Sequence, residues 1–133
     1  MKTTRYAQIP AETERMTNLV TTAALAVHRS LGPGLLESIY EKCLCHELRK
    51  SGALVESQIQ VPVFYDGISM NAEYRADIIV GGCVLVEVKA VEALLPVHGA
   101  QLLTYLKLTK LRAGLLVNFN VPLIRDGIKR MVL

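Results

Sequence analysis

The stretch Arg75-Ala76-Asp77-Ile78-Ile79-Val80-Gly81-Gly82-Cys83-Val84-Leu85-Val86-Glu87-Val88-Lys89 decides the fold. Two runs rich in β-branched residues flank a glycine pair, which predicts strands over 68–80 and 83–89 joined by a tight turn. The second run is almost continuously apolar, as expected of a central strand buried on both faces. Helices must then cover both sides of the sheet, and the flanking sequence supplies them.

Upstream, Met16, Leu19, Val20, Ala23, Ala24, Val27 and Leu31 recur at helical spacing after Pro10, with Glu12 and Glu14 in the first turn where the helix dipole favours acids. Gly32-Pro33-Gly34 stops that helix, and Leu36, Ile39, Tyr40, Cys43, Leu44 and Leu48 form a second apolar stripe ending before Gly52. Residues 54–65 read as a strand and Asp66-Gly67 as a turn. Downstream of Pro96, Leu102, Leu103 and Leu106 restore a helical pattern, 113–119 reads as a fourth strand, and 128–133 as a short edge strand. The expected fold class is α+β, a central mixed β-sheet flanked by helices.

The chain has 133 residues, 51% hydrophobic and 20% charged, a length that makes one domain with one core. Mean hydropathy of +0.32 excludes a disordered chain. No run approaches the roughly 18 apolar residues of a membrane span, and residues 1–5 lead into no apolar signal core, so a cytoplasmic protein is expected. Three cysteines, Cys43, Cys45 and Cys83, cannot all pair within one chain and read as reduced thiols. Net charge is +3, unevenly spread: residues 1–88 carry net −2 and residues 89–133 net +5. Lys107, Lys110, Arg112, Arg125, Lys129 and Arg130 suit a polyanion or a solvated surface equally well.

The informative residues are those that break the burial pattern. Asp77, Glu87 and Lys89 sit in strands otherwise built for a dry interior, where a charge is costly unless paired or bound to a cation. Glu87 and Lys89 are two apart and share a strand face. Two carboxylates and an ammonium at a strand end suit a hard divalent cation, since Mg²⁺ uses one or two carboxylates plus water and phosphate. The same residues also suit a plain ion-pair network, Asp77 with Arg75 or Lys89 and Glu87 with Lys89. Register separates the two. A two-residue Gly81-Gly82 loop would set Asp77 opposite Val86 and away from Glu87, so a shared metal requires a three-residue connection or a β-bulge.

Asp77, nine intervening residues and then Glu87-Val88-Lys89 resembles the signature of the PD-(D/E)xK nuclease superfamily, with Ala76-Asp77 in place of Pro-Asp. Gly34-Leu35-Leu36-Glu37-Ser38-Ile39-Tyr40 matches the GxxExxY motif that names a family of PD-(D/E)xK-like proteins. Gln101-Leu102-Leu103-Thr104-Tyr105 is similar to the QxxxY motif on the helix after the catalytic strand in RecB-like nucleases. The likeness covers residues 12–119 and implies a restriction-endonuclease-like core of α-βββ-α-β order with an extra N-terminal helix.

That resemblance implies a divalent-metal-dependent nuclease that hydrolyses phosphodiester bonds in DNA or RNA. Asp77 and Glu87, with the Val88 carbonyl, would bind Mg²⁺ or Mn²⁺, and Lys89 would position or activate water. Glu37 would approach the metal through water or act as a further acid/base. Gln101 and Tyr105, four apart on one helical face, would line the site or hold substrate. The alternatives are a non-catalytic accessory module on the same fold, as a monomer or a homodimer, and a hydrolase of another phosphate ester.

Bland roles compete at several positions. Glu37 also suits a helix N-terminus. Tyr40 reads as a core aromatic, His28 as a hydrogen-bonded structural histidine, and Cys83 as a small core residue. His98 lies one turn before Gln101. Cys43, Cys45 and His46 resemble zinc ligands, but Cys43 and Cys45 point to different sides of a helix. With no Trp and 5% aromatics, base-specific reading of nucleic acid is not expected.

Overall fold

The computed structural model describes residues 9–133, so the reading of residues 1–5 lies outside it. Helix α1 spans Ala11–Leu31 and α2 spans Glu37–Lys50; strands β1 (Val55–Tyr65), β2 (Ile68–Val80) and β3 (Val84–Lys89) follow, then helix α3 (Pro96–Thr109), β4 (Ala113–Asn118), a 3-10 turn (Ile124–Gly127) and β5 (Ile128–Val132). The five strands lie in sequence order, and only the β3–β4 pair is parallel. A parallel pair needs a long crossover, and α3 is that crossover. Among the described residues no helix is long and apolar enough to cross a membrane.

The sheet is covered on both faces, as the apolar central strand requires. Val84, Val86 and Val88 pack with α1 and α2, through Val20, Ala24, Leu44 and Leu48. Leu85 packs on the other face with Leu102 and Leu106 of α3. Each fully buried Val or Leu contributes roughly 1.5–3 kcal/mol, so β3 is the mechanical centre of the fold. Strand β5 is held against α1 by the paired hydrogen bonds of Arg130 to the Glu14 carboxylate, 2.7 and 3.0 Å, so Arg130 is engaged within the chain.

The α1–α2 corner is tied by Tyr40. Its ring is fully buried and stacked on Phe119 at 4.5 Å; its hydroxyl donates to Gly32 O at 2.5 Å and accepts from Leu35 N at 3.1 Å. It is the core aromatic that the sequence predicts. His28 is likewise structural, with Nε2 2.8 Å from Val121 O.

The β2–β3 turn has the expected longer form. Pairs Ile78↔Val86, Ile79↔Leu85 and Val80↔Val84 leave three connecting residues, Gly81, Gly82 and Cys83, so Cys83 belongs to the turn rather than to β3. Both glycines have positive φ, +61° and +67°. At Gly81 a side chain is also excluded by α1, since a Cβ would lie 2.7 Å from the Met16 sulfur.

Candidate metal and nucleic-acid site

Carried one step past Ile78↔Val86, the same register sets Asp77 opposite Glu87. There the ladder changes character. Asp77 N donates to Glu87 Oε2 at 3.1 Å, and Val88 N donates to Asp77 Oδ2 at 2.9 Å. Each carboxylate thus takes a backbone N–H of the opposite strand, and the strands fork around the two acids. Strand β2 also loses its alternation here: Ala76 packs in the α3-side core and Ile78 in the α1/α2-side core, although an unbroken strand would put both on one face. Across from Asp77 on β1, Gln58 has φ +55°.

Because the N–H and C=O of a strand residue point to the same edge, the Val88 carbonyl faces the β2 side with its N–H. The Lys89 carbonyl points the other way and accepts Phe119 N at 2.9 Å. Asp77, Glu87 and Val88 are therefore brought together.

The electrostatics of the fork disfavour two ionised carboxylates side by side. Glu87 is 7% exposed. Burial first, and then the neighbouring Asp77 charge, push its carboxyl up to about 7, against the pull of the Asp77 N–H and Lys89. Burial likewise raises Asp77, offset in part by the Val88 N–H and Lys89. Lys89 is half-buried and exerts its field on both acids, yet it forms no ion pair with either among the described residues. The ion pairs that compete with a metal in the sequence reading, including Asp77 with Arg75, are not made.

Around the fork, Glu41 on α2 is also raised, by burial above all, and accepts a hydrogen bond from Gln58 Nε2. Asp77 opens into a cleft of about 340 Å³ with Glu37, Ser38, Glu41, Lys42, Gln58 and Arg75. The Glu37 carboxylate accepts Ala90 N at 3.2 Å, which ties the N-terminus of α2 to the residue after Lys89. Tyr105 stacks on Tyr74 at 3.9 Å, and its hydroxyl is raised by burial and then by Glu87 and Asp77. Gln101 is exposed on α3. His98 turns back on its own helix, its Nδ1 accepting Leu95 N at 2.9 Å.

Two residues escaped the sequence reading. Asn118, 1% exposed at the end of β4, accepts Val91 N through Oδ1 at 3.0 Å and donates through Nδ2 to Val91 O at 2.9 Å, while Oδ1 also accepts Asn120 N. It holds the segment leaving β3 just beyond Lys89. The 3-10 turn packs over it so closely that a Cβ at Gly127 would overlap the Asn118 carbonyl. The only signal was a polar residue ending an apolar strand. The second residue is Tyr74, whose buried hydroxyl has no hydrogen-bond partner among the described residues and whose pKa is raised by burial and by Glu87.

A family model of the PD-(D/E)XK nuclease superfamily matches residues 14–131, nearly the whole chain, and the protein belongs to that superfamily. Neither curated proteins nor solved structures gave a match. The mixed five-stranded sheet flanked by helices agrees with a restriction-endonuclease-like fold. Nucleases of this superfamily generally use divalent metal ions. Among the described residues no group of three or more His, Cys, Asp or Glu side chains is placed to hold a metal ion; the fork brings together two carboxylates beside the Val88 backbone. That donor set is hard, oxygen-only and incomplete, which fits Mg²⁺ or Mn²⁺ with water and phosphate filling the other positions. The buried Tyr74 hydroxyl, without a partner among the described residues, leaves a further polar oxygen on that side of the sheet.

Proposed function

We propose that this protein is a divalent-metal-dependent nuclease of the GxxExxY type that hydrolyses phosphodiester bonds in DNA or RNA. The observation that carries the reading is the fork, where a buried Glu87 and a half-buried Asp77 replace the ladder of the β2–β3 hairpin and neither forms an ion pair among the described residues. Carboxylates so placed are costly as an end in themselves and useful as ligands.

Asp77, Glu87 and the Val88 carbonyl would hold the ion, which when bound would lower the pKa of water and offset negative charge at the phosphate. Lys89, whose positive charge acts on both acids, would stabilise negative charge developing at the phosphate. The hydrogen bonds from Asp77 N and Val88 N orient the two carboxylates, so the oxygens not engaged by backbone are the ones presented to the ion. Glu37 and Asn118 anchor the backbone on the exit side of Lys89, and Glu37 has a second oxygen left for water at the site. Gln101 and Tyr105 offer polar groups along α3 to the substrate backbone. With few aromatics, selectivity is for backbone and structure rather than base identity.

The test is cleavage of plasmid and single-stranded substrates with Mg²⁺ or Mn²⁺. Wild type should cut, and Glu87→Ala and Lys89→Ala should not. Cleavage surviving both substitutions excludes this mechanism. No cleavage and no metal uptake, with a stable macromolecular complex, would instead establish an accessory module.

A further inference from the structure

The β1–β2 hairpin runs past the rest of the sheet. Its outer pairs, Pro62↔Glu73, Phe64↔Ser69 and Tyr65↔Ile68, close over the two-residue Asp66-Gly67 turn. Every residue from 64 to 73 is exposed, including Phe64, Tyr65, Ile68 and Met70 at 58, 73, 60 and 43%. A two-stranded ribbon with nothing packed behind it among the described residues is marginal in water, and a cluster of exposed aromatic and aliphatic side chains marks a contact surface. No Lys or Arg occurs between Lys50 and Arg75, whereas Asp66 and Glu73 lie on the arm. Its tip is apolar and anionic. A phosphate backbone is repelled by such a tip, while an apolar receptor edged with positive charge is matched to it.

The chain carries that receptor. At the C-terminal end of α1, Leu25, Pro33, Pro122 and Leu123 line a cleft of about 410 Å³ with Arg29 at its edge. Leu25, Leu123 and Arg29 are exposed, and the neighbouring His28 ring is already bound to Val121 O. The cleft therefore offers apolar walls and one fixed cation, the complement of the apolar walls and one anion at the hairpin tip. The tip is exposed on its own chain, so it is free to serve another.

We propose that the protein forms a two-fold dimer in which the β1–β2 arm of each protomer docks into the α1 cleft of its partner, Asp66 meeting Arg29. Reciprocal exchange uses both arms and both clefts and closes the assembly, leaving no open surface for a third copy.

Sedimentation across a concentration series tests this without reference to catalysis. Wild type should dimerise. Asp66→Lys and Arg29→Glu, both exposed and neither part of the fork or its cleft, should each weaken the dimer about tenfold or more, and the double reversal should restore it. Circular dichroism and Mn²⁺ heats equal to wild type confirm that the variants are folded with an intact fork, which separates failure of the dimer from failure of the nuclease reading. A wild-type monomer at every concentration overturns the proposal. So does a dimer that survives both single reversals, because it is held by another face. A monomer whose arm gains hydrogen-exchange protection only on adding DNA would assign the arm to nucleic acid and overturn it too.

Discussion

The two ends of the β2–β3 hairpin obey opposite rules within four register steps. At the turn end, Val80↔Val84 and Ile78↔Val86 are fully buried aliphatic pairs, bonded backbone to backbone and closed under α1 at Gly81. At the fork end, Asp77 and Glu87 replace the ladder with carboxylate acceptors and set two acidic groups side by side, Glu87 buried and Asp77 half-buried at the edge of a cleft. The turn end stabilises the fold whatever the conditions. The fork end stabilises it only when its charge is neutralised, by protons or by a cation, which is the expected signature of a site maintained for chemistry.

The largest way to break this contrast is to remove a fork acid. Asp77→Ala or Glu87→Ala should lower cleavage by ~10³-fold or more, equivalent to ~4 kcal/mol of transition-state stabilisation, measured as initial rates on plasmid DNA.

The fork also predicts an inverted pH dependence. The Glu87 carboxyl is higher in the folded chain, about 7, than its ordinary value of 4.5. Between those values the folded state binds the extra proton, so metal-free stability is complete below about 4.5 and falls as pH rises through about 7. The full effect is at most ~3 kcal/mol. Glu87→Gln should flatten that profile in urea titrations and be more stable than metal-free wild type at pH above 7. Added Mn²⁺ should raise the wild-type melting temperature above that pH and lose the effect below it, as protons displace the ion.

Asn118→Ala deletes three hydrogen bonds at a buried position and should cost ~2–4 kcal/mol in urea, loosening the backbone after Lys89. At the turn end, Val86→Ala should cost ~1–3 kcal/mol with Mn²⁺ binding unchanged, the smallest of these effects and the control that separates packing from charge.

Much of this was legible in the chain because strands announce themselves by period. The Ile68–Val80 strand and the Ala11–Leu31 helix carry long, unmixed patterns, and the need for a three-residue turn followed from requiring Asp77 and Glu87 to meet. Cys83 was read as strand because an apolar residue beside a valine run has no local mark of a turn. Asn118 and Tyr74 were missed for a different reason: their importance lies in partners 27 residues away or in the lack of one, and neither leaves a trace in spacing. The twist at Asp77, which sends Ala76 and Ile78 to opposite faces, was equally invisible, since both are small or aliphatic and satisfy either face.

The most direct measurement is isothermal calorimetry of Mn²⁺ into metal-free protein above pH 7, comparing wild type with Asp77→Asn and Glu87→Gln, which keep size and shape while removing charge. Saturable binding is expected in wild type and its loss in both variants. Equal heats in all three would contradict a metal held at the fork.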